Sequence, residues 1–240
     1  PEADGFLHLT CLQVPVKEAL EKAHFYGVSL TAFLTAAMML AIQRLQAEKI
    51  PFVWLQKPVK VLIPVNLRRL FPSRTLRNFA LYTTPEIDPR LGQYTFEEIC
   101  RAVKHKMGLE IEPKIMSAKI ATNVSSERLL AVRVLPLFIK NFVMKMVFNS
   151  VGEKKSCLSL SNLGAVDLPD VMKPYIERMD FILGVQATAP HNCGALSFGE
   201  TLYINMIRNI REPELENHFC RVLRELGLTV QAESNGPREH

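Results

Sequence analysis

The run from Leu30 to about Gln46 is apolar on nearly every side of a helical wheel, with Ser29 placed to cap its start. A helix like that belongs inside a large core, so Phe33, Leu34, Ala37, Met38, Ala41 and Ile42 are assigned to packing rather than to chemistry. The next element, Val59-Lys-Val-Leu-Ile-Pro-Val, reads as a strand whose near-continuous apolar character predicts burial on both faces. Together they demand a substantial core, and with 48% hydrophobic residues in 240 the chain has the means to build one.

The remaining pattern mixes helices and strands. Phe6 to Val14 reads as a short strand, and Pro15 opens a helix in which Val16, Ala19, Leu20 and Ala23 share a face until Gly27. Leu81 to Ile87 reads as a strand and Thr95 to Met107 as an amphipathic helix. Ser126 to Phe148 reads as two helical pieces meeting near Leu135, because Pro136 suits a first turn better than an interior. Strands are expected at Ser156 to Ser161, Met179 to Ala187, Gly194 to Phe198 and Thr201 to Met206, with Pro190, His191 and Asn192 in a loop. A helix runs from about Glu212 to Leu226. This order indicates an α+β fold, an α/β sandwich layered on one mixed β-sheet backed by helices. Residues 1–232 form one lobe and residues 233–240 a disordered tail.

Composition removes several function classes. The five cysteines are widely spaced and never in a Cys-x-x-Cys arrangement, which predicts buried reduced thiols in a cytoplasmic protein, with neither zinc nor a disulfide framework. No histidine pair has metal-site spacing, so no metal is expected. Leu129 to Phe148 is interrupted by Arg133, Pro136, Lys140, Asn141 and Lys145, and no transmembrane span is predicted. The net charge of +5 is uneven: residues 101–155 carry +7 and the remainder −2. Solvated helix faces account for this most simply, and attraction of an anionic ligand is the alternative. Nucleic acid is not expected as a partner without a recognisable module. The start, Pro1-Glu-Ala-Asp-Gly, has neither Met nor a signal-peptide pattern, which suggests a chain cut from something longer.

Four segments in order carry a resemblance. They are Gly27-Val-Ser-Leu-Thr-Ala-Phe-Leu-Thr-Ala-Ala, then Ile63-Pro-Val-Asn-Leu-Arg68 leading to Arg77-Asn-Phe79, then Leu160-Ser-Asn-Leu-Gly164, and the hairpin Ala189-Pro-His-Asn-Cys-Gly-Ala-Leu-Ser-Phe-Gly-Glu-Thr-Leu-Tyr. This succession resembles the C-terminal lobe of the CoA-dependent acyltransferase superfamily, which includes alcohol acetyltransferases, BAHD acyltransferases and peptide-synthetase condensation domains. The resemblance implies a chloramphenicol-acetyltransferase-like lobe forming one wall of a channel. The opposite wall would be an N-terminal lobe whose His-His-x-x-x-Asp-Gly segment supplies the general base. No His-His pair occurs in this sequence. The expectation is therefore a lobe that is silent alone, with no catalytic residue of its own and no permanently bound cofactor. It would serve transfer from acyl-CoA or a carrier thioester to an alcohol or amine acceptor. Partial exposure of Leu135 to Phe148 and Phe33 to Ile42 would then promote self-association. A non-catalytic binding or scaffold module with the same lobe fold is the alternative.

By the same resemblance Ser161 and Asn162 border the channel, where a hydroxyl and an amide could donate to a thioester or pantetheine oxygen. Asn66, Arg68, Asn78 and Gly164 are structural or donor-contact residues. Arg68 is most simply a partner of a carboxylate or of loop carbonyls, and Gly164 takes a backbone conformation denied to other residues. His191 is expected as a solvent-facing loop residue.

Overall fold

The computed structural model describes residues 6–128, 156–185 and 189–236, with Leu137, Asn141 and Lys145 besides. The eight strands are β1 (His8–Pro15), β2 (Val59–Asn66), β3 (Ala80–Thr83), β4 (Glu86–Ile87), β5 (Leu158–Ala165), β6 (His191–Phe198), β7 (Thr201–Arg208) and β8 (Gln231–Ser234). The helices are α1 (Val16–Phe25), α2 (Leu30–Lys49), α3 (Phe96–Glu110), α4 (Pro113–Arg128) and α5 (Glu214–Glu225). One mixed sheet runs in the order β3-β2-β5-β6-β7-β1-β8, with β4 paired to β2. Its centre, β2-β5-β6, is parallel, and the other pairings are antiparallel.

Helix α2 lies across one face of this sheet and packs against α3, α5 and β2. Its Ser29 cap accepts a hydrogen bond from the Ala32 amide, and twelve of its residues are buried, from Ala32 through Gln43. By length and composition it could cross a membrane, and it is spent instead on this core. Phe33 to Ile42 is thus wholly buried, and the expected exposure of that segment does not occur, because the sheet and the flanking helices enclose it on all sides. Gln43, 2% exposed, exchanges two hydrogen bonds with the backbone of Tyr94 and so fixes the approach to α3. Thr95 and Glu98 then close a capping box at that helix's start. At its far end Glu110 accepts from Thr83 Oγ1 at 2.7 Å and pairs with Lys106 and Lys119, binding α3 to β3 and α4. Burial alone would raise the Glu110 pKa. The donors from Lys106, Thr83 and Lys119 outweigh it and hold the carboxyl at about 2.

Several sequence expectations need correction. β2 alternates: Val59, Val61, Ile63 and Val65 are buried while Pro64 and Asn66 are exposed, so only one face is covered. Leu81 to Ile87 is two strands, broken at Thr84-Pro85 because Pro85 cannot donate to the ladder. Helix α4 had no counterpart in the sequence reading, and the two pieces expected between Ser126 and Phe148 fall largely outside the described residues. Met179 to Ala187 is not a strand over residues 179–185, which pair with no neighbour and instead cross the second sheet face. There Met179 and Phe181 pack on Cys11, Leu196 and Tyr203. Ordered structure continues past residue 232, because β8 gains the outer edge of β1 and Asn235 bonds Leu9. Four cysteines are buried as expected, and Cys157 is exposed at the entry to β5.

The crossing segment depends on Gly194, where an added Cβ would lie 2.1 Å from the Phe181 carbonyl oxygen. Gly194→Ala should therefore lift residues 179–184 from the sheet and cost about 1–3 kcal/mol. Hydrogen exchange localised to that segment checks this, and unaltered protection together with an unaltered urea midpoint would refute it.

Candidate functional site

Where the parallel strands β2 and β5 end, the chain opens a cleft of about 560 Å³ beside the first turn of α2. Asn66, Arg68, Ser161, Asn162 and Gly164 all line it, so five of the six residues singled out from sequence, taken from two segments some ninety positions apart, meet in one place. Asn78 is exposed two residues before β3 and does not line the cleft.

The end of β5 is shaped by a local hydrogen-bond circuit. Asn162 Oδ1 accepts from the Gly164 amide at 2.9 Å, and its Nδ2 donates to Thr31 Oγ1, on α2, at 3.2 Å. Gly164 has φ +84, as a residue without Cβ can, and the β5–β6 register slips between Asn162 and Ala165. The bulge interrupts the ladder before pairing resumes at Ala165, and it leaves Leu163 53% exposed. Asn162 is thus a shaping residue, since its carbonyl oxygen and one amide hydrogen are occupied. Ser161 is different: no partner for its hydroxyl occurs among the described residues.

The other rim is built from the turn after β2. Asn66 caps it by accepting from the Arg68 amide at 3.1 Å. The Arg68 guanidinium donates to the carbonyls of Thr75 at 2.9 Å and Arg77 at 2.6 Å, which closes the loop leading to β3. Arg68 therefore has the loop-carbonyl role. Its neighbour Arg69 is exposed, lines the cleft, and has no ion pair or hydrogen bond among the described residues. The sequence analysis passed over Arg69 and Thr31. An Arg-Arg pair was visible, but which of the two is committed depends on the path of residues 70–79. Ile63, Phe79, Met107 and Ile111 give the cleft an apolar floor. Of the basic segment, Lys106 and Lys119 are engaged by Glu110, which accounts for part of its excess charge within the fold.

His191 is not in a solvent-facing loop. It begins β6, its side chain is 12% exposed, and its Nε2 stands 3.8 Å from Oε2 of Glu216, beyond hydrogen-bond reach. Arg208, 4% exposed, pairs with the other Glu216 oxygen at 3.3 Å. Burial lowers the His191 pKa, Glu216 opposes that shift, and Arg208 reinforces it. This group lies outside the cleft and has no nucleophile beside it. Among the described residues no cluster of His, Cys, Asp and Glu could hold a metal, and burial pushes the Cys11, Cys100 and Cys193 thiols up to about 12, far from nucleophilic range.

Because His191 is kept neutral in the fold but takes a proton near pH 6.5 when unfolded, its contribution to stability is intact above that pH and is lost as the pH falls through it. His191→Gln should flatten the decline of the urea midpoint between about pH 7.5 and 5. An unchanged slope would remove His191 as its source.

Residues 2–84 match the family model for alcohol acetyltransferase. No curated protein sequence matches the chain. Among solved structures it is similar to the trichothecene 15-O-acetyltransferase of Fusarium sporotrichioides, with a TM-score of 0.58 and 13% identity, covering 92% of this chain and 47% of that one. The epimerization domain from the third module of tyrocidine synthetase B gives 0.56 at 13% identity, covering 94% and 48%. The condensation domain that mediates chain release from the enacyloxin polyketide synthase gives 0.51 at 16%, covering 92% and 41%. The chain thus spans a little under half the length of these structures. Its fold is that of a part of these acetyltransferase, epimerization and condensation structures.

Proposed function

We propose that this chain is the C-terminal lobe of an acyltransferase and that the cleft at the ends of β2 and β5 is one wall of its substrate channel. The donor would be acyl-CoA or a carrier-bound thioester, and the acceptor an alcohol or amine. The observation that carries this reading is the convergence of Ser161 and Arg69, whose hydroxyl and guanidinium have no partner among the described residues, on one apolar-floored cleft. Structures about twice as long support a second lobe opposite that wall.

On this reading the second lobe supplies the base that takes the proton from the acceptor hydroxyl or amine. The acceptor's oxygen or nitrogen attacks the thioester carbonyl, the carbon–sulfur bond breaks, and the thiol leaves. Ser161 then donates a hydrogen bond to the thioester or pantetheine oxygen, a role that gains weight as negative charge develops there. Arg69 meets a phosphate of the donor, where a planar, permanently charged fork is well suited. Asn162 and Gly164 act through geometry, by shaping the bulge in β5 beside Ser161. Nothing in this chemistry calls for a permanently bound cofactor.

The test is thiol release from acyl-CoA, with a panel of short alcohols and amines, by this chain and by the longest product of its gene. Activity confined to a longer product supports the two-lobed reading. Activity of this chain alone would overturn it, and acyl-CoA binding without turnover in either would favour a binding module. In an active protein, Ser161→Ala should lower kcat by roughly tenfold or more with the fold intact. Arg69→Ala should instead raise KM for acyl-CoA several-fold with little change in kcat. Unchanged kinetics in either variant would remove that residue from the site.

A further inference from the structure

At the end of α2 remote from the cleft, residues 51–55 form an apolar knuckle that the fold holds outward. Phe52, Val53, Trp54 and Leu55 are 53%, 41%, 71% and 57% exposed, and Leu91, on the neighbouring turn Pro89–Leu91, is 81% exposed. The Phe52 and Trp54 rings lie 4.9 Å apart. Four consecutive exposed apolar residues in so well-packed a domain call for a partner.

This is a built feature rather than a frayed loop. The Leu55 and Gln56 amides donate to the carbonyls of Phe52 and Val53 at 3.0 and 3.1 Å. Gln56, 3% exposed, donates from Nε2 to the Ile50 carbonyl at 3.1 Å. Gln46 clasps Lys57 through two hydrogen bonds, at 3.0 and 2.8 Å. The Gln46 side chain and Gln56 Nε2 are turned inward and used, which leaves an indole, a phenyl ring and aliphatic side chains at the surface.

The geometry points to a phospholipid bilayer surface as the partner, with the knuckle seated at the boundary between headgroups and acyl chains. Tryptophan and phenylalanine beside lysine are the side chains that favour that boundary. Of the nearby carboxylates, Glu86 is paired with Lys60, Asp88 with Arg90, Glu214 with Lys49 and Glu48 with His218, while Glu212 also acts on Lys49. Lys57 has no ion pair among the described residues and contributes a free positive charge. A second copy of the chain fits less well: the patch exposes roughly 600 Å², which matches the largest patches on soluble monomers. A stable dimer needs about 800 Å² per partner. The opposite lobe fits poorly as well, since α2, 20 residues long, puts about 30 Å between Thr31 in the cleft and this turn. The inference stands independently of the acyl-transfer reading.

Trp54 is the single tryptophan of the chain, so its emission reports on this surface alone. Titration with vesicles of phosphatidylcholine containing phosphatidylglycerol should shift the emission to the blue and protect it from aqueous acrylamide, and the protein should sediment with the vesicles. The double variant Phe52→Ser, Leu55→Ser keeps the probe and alters exposed side chains only. Its partitioning should fall by roughly tenfold or more, with an unchanged circular dichroism spectrum. Absence of both the shift and co-sedimentation would overturn the proposal, as would equal binding by wild type and double variant. A blue shift that grows with protein concentration in the absence of vesicles would assign the knuckle to self-association instead, and would overturn it too.

Discussion

Burial of α2 across the sheet is the constraint on which the rest of this structure depends. A helix with apolar side chains on every face cannot lie on a surface, because some of those faces would meet water. The sheet covers it from below and α3 and α5 flank it. Once it is seated, its two ends are committed to opposite ends of the lobe. Its first turn brings Thr31 to the mouth of the cleft, and its last turn hands the chain to the exposed aromatic knuckle.

The cleft exists because two parallel strands stop at the same level and each is kept from continuing. β2 ends in a turn capped by Asn66 and locked by the Arg68 guanidinium on two carbonyls. β5 ends in a bulge that Asn162 and Gly164 impose together. Polar side chains whose hydrogen bonds are spent on shape surround two, Ser161 and Arg69, that have no partner among the described residues. Division of labour of this kind is common in binding sites, since a group can be aimed at a ligand only if its neighbours hold the backbone still. β2, a strand rich in apolar residues, leaves Pro64 exposed on the face that lines the cleft.

Some of this was legible in the residues and some was not. The Ser29 cap, the burial of α2 and the turn at Gly164 follow from local chemistry, and they appear in the fold as the sequence implies. Helix α4 escaped notice because its apolar residues do not keep to one face. Met116 is fully buried while Ile115 and Val124 remain well exposed, so no clear helical period stands out. His191 reads as a loop residue after Pro190, yet pairing with Arg208 on β7 draws it into β6. Residues 179–185 have the composition of a strand, but the β6 edge they would need is already taken, so they pack across the sheet face instead.

What the sequence determined by itself is the kind of fold, because hydrophobic period, caps and glycine conformations are decided within a few residues; the two segments that line the cleft stood out only by their resemblance to an acyltransferase lobe. What only the tertiary structure decided is which polar groups are free. Arg68 and Arg69 are adjacent and chemically identical, and so far as local sequence goes either could face a ligand. The return path of residues 70–79 brings two carbonyls to the first, and the second has no such partner among the described residues. Availability of a charged or hydroxyl group depends on everything else within about 3 Å of it, and those neighbours come from distant parts of the chain.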